Sequence, residues 1–265
     1  MNSELLYEVR EGVALLTINR PERRNALSLA LIQDLGQRLD EIEFNPEVRV
    51  VCLTGAGDKA FCSGADLDGA MCDGLAAAPG EPEEKLQGPS FYAKLLTRMS
   101  TFEKPLLARV AGPCLAGGLG LMLSCDIVIA HTNVFFCTPE VNIGLFPFMV
   151  GALLQRNVQW KKAMDMVLTS RRIYAAEAER MGLISRVVPP EHFEQEVKQT
   201  LAVLATRSPL NIRLGKRAFK KMSDLSLDSA LEMLSLALVQ AMKTEDAREG
   251  MQAFLDKRTP LFRGN

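Results

Sequence analysis

Short apolar runs alternate with amphipathic stretches through the first two-thirds of the chain. The segment LLYEVREGVALLTINRP predicts two short strands around a turn at Glu11-Gly12, and the runs VRVVCLTGAG, PLLARVAG and DIVIAHTN predict further strands. Behind Ser28, a good helix-capping residue, apolar positions recur at helical spacing in SLALIQDLGQRLDEIEFN. A second helix is predicted through YAKLLTRMSTF and ends before Pro105. Strands that alternate with helices in this way predict an α/β fold.

The middle of the chain is mixed, and the pattern becomes mainly helical only after Val150. The run CLAGGLGLMLSCD predicts a helix in spite of its glycines, and VFFCTPEVNIGLFP predicts a short strand and a loop. After Val150, LLQRNVQWKKAMDMVLTS and AAEAERMG predict helices, LISRVVP predicts a strand, and three amphipathic segments follow. From about Glu191 the chain is therefore predicted to be all-helical. Between Asp68 and about Ser90, clustered Gly, Pro and Glu residues predict a long loop. In a compact domain such a loop is usually a functional lid or a partly disordered segment.

Composition narrows the class of protein. A chain of 265 residues, 48% hydrophobic and 24% charged, is typical of one large globular domain or of a domain with a small appendage. Its net charge of −1 provides no basic field for nucleic acid or for an anionic membrane surface. No apolar run approaches the roughly 20 residues of a membrane span, and the first residues lack the apolar segment of a signal peptide. We therefore expect a cytoplasmic protein with no membrane contact.

Cysteine and histidine form no metal-binding pattern. The six cysteines include no C-x-x-C pair, and neither His131 nor His192 lies at zinc-like spacing from a cysteine. Most of the cysteines have apolar neighbours, among which a reduced thiol packs as a small hydrophobe. The chain also has no P-loop motif and no G-x-G-x-x-G fingerprint at the start of a βαβ unit. The sequence predicts reduced thiols, no metal and no dinucleotide site.

Two glycine-containing junctions suggest a site built from backbone groups. Ser63-Gly64-Ala65-Asp66 follows a buried strand, and Gly117-Gly118 lies between a strand and a helix. A strand–glycine–helix junction exposes N–H groups at a positive helix end, where an anion or a developing oxyanion is stabilised. If the two junctions face each other, they supply two donors to one carbonyl oxygen. The alternative is that these glycines only permit tight turns and close packing.

The chain resembles the crotonase, or enoyl-CoA hydratase/isomerase, superfamily over nearly its whole length. The matching segments occur in the order and spacing of the family: NRPERRNALS, LTGAGDKAFCSGADL, KPLLARVAGPCLAGGLGLMLSCDIVIA, FCTPEVNIGLFP, RRIYAAEAERMGLISRVVP and AFLDKRTPLF. The resemblance implies the α/β crotonase (ClpP-like) fold, in which a spiral of ββα units over residues 1–200 holds the acyl-CoA site and residues 201–265 form a helical trimerisation region. It also implies a CoA thioester substrate, no prosthetic group, and a homo-trimer or a dimer of trimers.

The resemblance further implies roles for individual residues. The N–H groups of Ala65 and Gly117 match the two donors with which crotonases stabilise a thioester enolate. Contacts to CoA are implied for a set of residues near the first junction: Arg23, Ala26, Gly64, Asp66 and Leu67. Phe254 and Lys257 match a C-terminal F-x-x-K-R that often reaches the CoA phosphates of a neighbouring subunit. Arg23, Arg24 and Lys257 could supply positive charge to those phosphates. From the residues alone, a solvated surface cluster is an equal alternative.

The acidic residues decide which reaction is expected. Hydratases of this family usually carry one glutamate three residues after the second oxyanion glycine and another in a later P-E motif. The second is present as Glu140 in TPEVNIG, but the first position is Gly120. A single carboxylate suffices for shuttling a proton from C2 to C4 of a 3-enoyl-CoA, and it can also hydrate a 2-enoyl-CoA if it returns the proton of the water to C2. Another acid from the Asp68–Ser90 loop is a further alternative.

The resemblance favours hydration of a 2-enoyl-CoA, because hydratases are the commonest members of the family, and this is the predicted reaction. The first alternative is isomerisation of a 3-enoyl-CoA with Glu140 as the single base, and the second is a silent acyl-CoA-binding protein. Decarboxylases and thioester hydrolases of the superfamily also vary at these acidic positions.

Large apolar residues follow Gly144, namely Phe146, Phe148 and Met149. They either form a wall that limits the acyl chain or belong to the core.

Overall fold

The strands of the protein form two sheets in the computed structural model, which describes residues 3–66 and 87–265. The strands are β1 Leu5–Arg10, β2 Val13–Ile18, β3 Val50–Gly55, β4 Leu106–Val110, β5 Cys114–Leu115, β6 Ile127–His131, β7 Phe135–Cys137, β8 Ile173–Tyr174 and β9 Arg186–Val188. The larger sheet has the strand order β1-β2-β3-β4-β6-β9; β1 is antiparallel to β2, and the other neighbours are parallel. The smaller sheet has the order β5-β7-β8.

Helices connect and cover these strands. The described residues contain ten α-helices: α1 Leu29–Phe44, α2 Gln87–Ser100, α3 Gly117–Leu123, α4 Phe148–Asn157, α5 Trp160–Thr169, α6 Ala175–Arg180, α7 Pro190–Ala205, α8 Pro209–Met222, α9 Leu227–Met242 and α10 Glu245–Leu255. Within the same described ranges, two short 3-10 helices lie at Pro21–Arg23 and Pro139–Ile143. No helix among the described residues is long and apolar enough to cross a membrane.

The larger sheet is buried on both faces, which explains why β3 is apolar at nearly every position. Side chains alternate between the two faces of a strand. On one face, Val51 and Leu53 join the main core with α1 and α2. On the other face, Cys52 packs in a second cluster against Phe193 and Val197 of α7. A continuous apolar run is typical of such a doubly covered parallel strand.

Most of the elements that the sequence predicts are confirmed, but the two-residue strands β5 and β8 were missed, and two further predictions need correction. The segment LLQRNVQWKKAMDMVLTS forms two helices, α4 and α5, because the extended residues Val158 and Gln159 interrupt it. Behind β9 lie four helices, α7 to α10, where three amphipathic segments were expected. The predicted loop from Asp68 lies outside the described residues, except for its last residues, which begin α2 at Gln87.

The described cysteines are all free, and burial raises the pKa of the Cys52 and Cys62 thiols to about 12. Such thiols stay protonated and pack as apolar groups. Within the described ranges, no group of three or more His, Cys, Asp or Glu side chains is arranged to hold a metal ion.

Candidate active site

The two glycine junctions are in direct contact. Gly64 has a φ of +97°, a conformation that side chains rarely adopt. A Cβ atom at Gly64 would lie 2.5 Å from the Cβ of Ala116 and 3.2 Å from the backbone nitrogen of Gly117. Only glycine therefore allows this close approach. The segment that contains Ala65 and the start of α3 form one site although they are about fifty positions apart in the sequence.

The hydrogen bonds that flank Ala65 show that its N–H points away from the segment that contains Leu27. Leu27 forms a parallel bridge with Ala65, in which the Leu27 N–H donates to the Gly64 carbonyl over 2.8 Å. The Asp66 N–H donates in turn to the Leu27 carbonyl over 2.9 Å. Backbone groups alternate in direction along an extended segment, so the N–H of Ala65 points to the opposite side. Within the part of the chain that the structure describes, it has no acceptor.

Gly117 presents the second N–H group. It is the first residue of α3, where backbone N–H groups have no partner inside the helix, and no acceptor for it occurs in residues 3–66 or 87–265. The chain enters this position through Ala116, whose φ of +47° and ψ of −127° are strained for a residue with a Cβ. Two hydrogen bonds hold the entry in place: Leu115 N–H to the Cys62 carbonyl at 2.9 Å, and Ala116 N–H to the Cys137 carbonyl at 3.0 Å.

Glu140 lies in the 3-10 helix that follows β7, the strand whose last carbonyl holds Ala116. One of its carboxylate oxygens, Oε2, is buried and has no hydrogen-bond partner among the described residues. Burial raises the pKa of this carboxyl, against a smaller lowering by its own backbone N–H. A carboxylate of this kind takes up a proton more readily than an exposed one, as a general base at neutral pH requires.

Gly120 has a tyrosine beside it in place of a second acid. A Cβ atom at Gly120 would lie 2.1 Å from the hydroxyl oxygen of Tyr92. Tyr92 comes from α2, is 2% exposed, and donates a hydrogen bond to the Gly117 carbonyl. Burial, followed by nearby Cys62, Cys114 and Glu140, raises the pKa of Tyr92 well above its usual value. A neutral hydroxyl therefore lies where a side chain at position 120 would begin.

The segment NRPERRNALS is anchored by a residue that the sequence analysis missed. Asn25 is buried with a φ of +57°, and its side-chain nitrogen donates to the carbonyls of Ala60 at 2.7 Å and Ala56 at 3.0 Å. Its side-chain oxygen accepts from the Arg20 N–H at 3.0 Å. An asparagine among arginines is a weak signal, but asparagine tolerates a left-handed φ better than most residues. Asn25 thereby holds this segment against the loop after β3.

Arg20 was also missed, and it links the same segment to Asp66. Its guanidinium pairs with the Asp66 carboxylate at 2.6 Å and donates to the Ala26 carbonyl at 2.6 Å. Among the residues expected to contact CoA, the structure groups Arg23, Ala26, Gly64 and Asp66 around this link. Leu67 lies outside the described residues.

The C-terminal residues expected to contact CoA are separate from this group. Phe254 is 83% exposed near the end of α10, and Lys257 follows that helix with a φ of +55°. The helix packs against α8 and α9. In the described part of the protein, no hydrogen bond or ion pair joins Phe254 or Lys257 to Ala65, Gly117 or Glu140. Within one copy of the chain, Phe254 and Lys257 are therefore not bonded to the site residues.

An apolar surface follows Glu140. Phe148 is 77% exposed, and its ring lies 5.4 Å from the ring of Phe146, which is also exposed. Met149 is half-buried and packs against the main core. The interpretation as core packing therefore holds for Met149 and is wrong for the two phenylalanines, which are available to an apolar ligand.

Known proteins share both the sequence and this architecture. Residues 8–265 match the family model for enoyl-CoA hydratase/isomerase. A putative enoyl-CoA hydratase from Thermus thermophilus is 37% identical, over 97% of this chain and 100% of the relative. A short-chain-enoyl-CoA hydratase from Clostridium acetobutylicum is 34% identical, over 97% and 96% of the two chains. The crystal structure of an enoyl-CoA hydratase from Bacillus anthracis superimposes with a TM-score of 0.91 at 32% identity, covering 99% of this chain and 100% of the other.

The fold is thus the crotonase fold, and the match includes the helices at its C-terminal end. The chain belongs to the enoyl-CoA hydratase/isomerase family. It is an enzyme that processes acyl-CoA thioesters, as the resemblance implies.

Proposed function

We propose that the protein hydrates a 2-enoyl-CoA, with Glu140 as general base and the N–H groups of Ala65 and Gly117 as the oxyanion hole. The observation that carries this proposal is the contact between the two junctions, where a Cβ at Gly64 would lie 3.2 Å from the nitrogen of Gly117. Both N–H groups lack an acceptor in the described residues, so both are available to a thioester oxygen. Relatives named as enoyl-CoA hydratases support the choice of reaction.

The proposed reaction proceeds through an enolate. The two N–H groups bind the thioester oxygen and draw electron density from C3. A water molecule bonds through its oxygen to C3 and gives a proton to the Glu140 carboxylate. The electrons of the C2–C3 double bond form a double bond between C2 and the thioester carbon, and those of the carbonyl bond move onto the thioester oxygen. The Glu140 carboxyl then returns the proton to C2, which collapses the enolate. The raised pKa of Glu140 suits both steps, because the same group must accept and then release a proton.

Isomerisation of a 3-enoyl-CoA is the second candidate, and the geometry at Gly120 favours it. Tyr92 fills the space beside Gly120, so position 120 provides no second carboxylate to hold a water molecule. In this reaction Glu140 removes a proton from C2, the enolate forms in the same oxyanion hole, and the proton returns at C4. No water is consumed, and one base is sufficient.

We also propose that CoA binds along the group formed by Arg23, Ala26, Gly64 and Asp66, with Leu67 as a further contact. The family acts on CoA thioesters without a prosthetic group. Phe254 and Lys257 contribute from a neighbouring copy, in a homo-trimer or a dimer of trimers that residues 201–265 assemble. Exposed apolar side chains on the last two helices support an interface: Leu227, Leu231, Leu236, Leu238, Val239, Met242, Phe254 and Leu255. A cytoplasmic location stays a prediction.

One set of assays tests these proposals. Turnover of a 2-enoyl-CoA is compared with that of its 3-enoyl isomer, and exchange of C2 protons with D₂O reports enolate formation by itself. Glu140→Gln is expected to abolish both, whereas Glu47→Gln, at an exposed position, leaves them unchanged. Faster turnover of the 3-enoyl-CoA establishes the isomerase. Tight binding of CoA esters without any C2 exchange establishes a silent binding protein and refutes both reactions.

Assembly is tested separately. Light scattering is expected to show a trimer or a hexamer, and Lys257→Glu is expected to raise the KM for the CoA ester without changing kcat, because it places a negative charge beside the CoA phosphates. A monomer at assay concentration, or an unchanged KM, refutes the role of the C-terminal region.

A further inference from the structure

The hydroxyl of Tyr92 contacts the first turn of α3 at two positions. It donates a hydrogen bond to the carbonyl of Gly117. A Cβ atom at Gly117 would lie 3.4 Å from this hydroxyl oxygen, and one at Gly120 would lie 2.1 Å from it. Tyr92 is 2% exposed, so its hydroxyl is held inside the protein on the inner side of the turn.

Two peptide planes meet at Gly117, and restraints on both help to fix the direction of its N–H. The first plane is restrained by the Ala116 carbonyl, which accepts from the Leu119 N–H over 2.9 Å. Gly117 has no side chain to limit its φ and ψ, and it follows the strained residue Ala116. The N–H and the carbonyl of Gly117 are separated only by these two dihedral angles. A hydrogen bond to the carbonyl therefore restrains the residue that bears the N–H. A methyl carbon of Leu27 lies 3.4 Å from the Cβ position of Gly117, as the Tyr92 hydroxyl does.

We propose that Tyr92 is a positioning residue for the oxyanion hole, a role that rests on the proposed enolate chemistry. Its hydroxyl restrains Gly117 through a hydrogen bond, and it occupies the space that a side chain at position 120 would need. The Tyr92 hydroxyl therefore has two consequences for the site. The second oxyanion donor is aligned by a neutral hydrogen bond, and Glu140 is left as the acid–base group of the site without a second carboxylate at position 120.

The direct test is Tyr92→Phe, which keeps the ring and removes only the hydroxyl. Loss of a whole oxyanion donor costs about 10²–10³ in rate, and misalignment of one donor should cost part of that, about tenfold in kcat. We expect KM to stay within about twofold, since oxyanion contacts strengthen in the transition state. C2 exchange should fall in parallel, and the rise of activity with pH that Glu140 causes should keep its midpoint. Tyr7→Phe, in β1 and partnered with Arg38, is the matched control and should behave as wild type.

A second variant keeps the proposal testable if Tyr92→Phe alters packing. Gly120→Ala places a methyl group against the hydroxyl and should displace it, lowering kcat by a similar factor. Because both changes act through the same hydrogen bond, the double variant should lose little more than either single variant. Losses that multiply, or a lowered melting temperature with an unchanged kcat per folded enzyme, show that Tyr92 is only structural and overturn the proposal.

Failure of this role differs from failure of the proposed function. If wild type shows no C2 exchange and Glu140→Gln changes nothing, the enolate chemistry itself is refuted. If wild type is active and depends on Glu140, but Tyr92→Phe retains the full kcat, only the role of Tyr92 is refuted.

Discussion

Replacing Gly64 with alanine should damage both the stability and the activity of this enzyme. A residue with a Cβ at a φ of +97° carries backbone strain of about 1–3 kcal/mol. The new methyl would also lie 2.5 Å from the Cβ of Ala116, which is far inside van der Waals contact. Relief of such overpacking typically costs about 1–3 kcal/mol more. The sum is about 2–6 kcal/mol of unfolding free energy, a large part of the stability of an ordinary domain.

The glycine at position 57 provides a matched control. Gly57 also has a positive φ, +71°, but a Cβ there would meet no atom within 4 Å. Gly57→Ala therefore measures the backbone strain alone, and its difference from Gly64→Ala measures the steric contact. Urea unfolding followed by circular dichroism, at one protein concentration for all variants, gives both values.

Activity provides a second measurement on the same variant. The displaced atoms border the nitrogen of Gly117, so the folded fraction of Gly64→Ala should lose about 10²-fold or more in kcat. Adding Ala116→Gly removes the closest contact and should restore part of both losses. If Gly64→Ala is as stable as Gly57→Ala and fully active, the proposed close approach of the two junctions is wrong.

Three further predictions concern the same region. Ala116→Gly should raise the unfolding free energy by about 1 kcal/mol, because relief of the strain at φ +47° exceeds the entropy cost of glycine. Asn25→Ala should lower it by about 2–4 kcal/mol, because buried hydrogen bonds to Ala56 and Ala60 are lost; urea unfolding measures both. Glu140→Gln should stabilise the protein at neutral pH but not below about pH 4. Burial raises the pKa of the Glu140 carboxyl in the folded state, so the stability of wild type falls as the pH rises from the unfolded pKa to the folded pKa. Glutamine carries no charge and avoids this loss.

Each of these predictions has a contrary result. A destabilised Ala116→Gly would show that the strained dihedral angles are absent in solution. An Asn25→Ala variant as stable as wild type would contradict the anchoring role of the asparagine. A stability difference for Glu140→Gln that does not change between pH 4 and pH 7 would contradict the raised pKa.

Local features of this protein followed from the sequence. Ser28 was expected to cap α1, and its hydroxyl accepts from the Leu31 N–H at 3.0 Å. This prediction succeeds because a cap depends on residues three positions apart. The strand β3 was predicted from its continuous apolar run, which reflects burial on two faces. The break between α4 and α5 was missed, because Val158 and Gln159 include neither glycine nor proline to mark it.

The sequence by itself determined the family, the order of most elements, and Glu140 as the candidate base, because these depend on motifs and on local periodicity. Only the tertiary structure decided how the site is assembled. It placed Gly64 against Gly117, and it brought Tyr92 from another helix onto Gly120. Both contacts join residues that lie far apart along the chain, and no local pattern encodes a distance of 2 or 3 Å between such residues. Because α2 packs against the start of α3, the buried hydroxyl of Tyr92 lies beside Gly120, where an acidic side chain is missing.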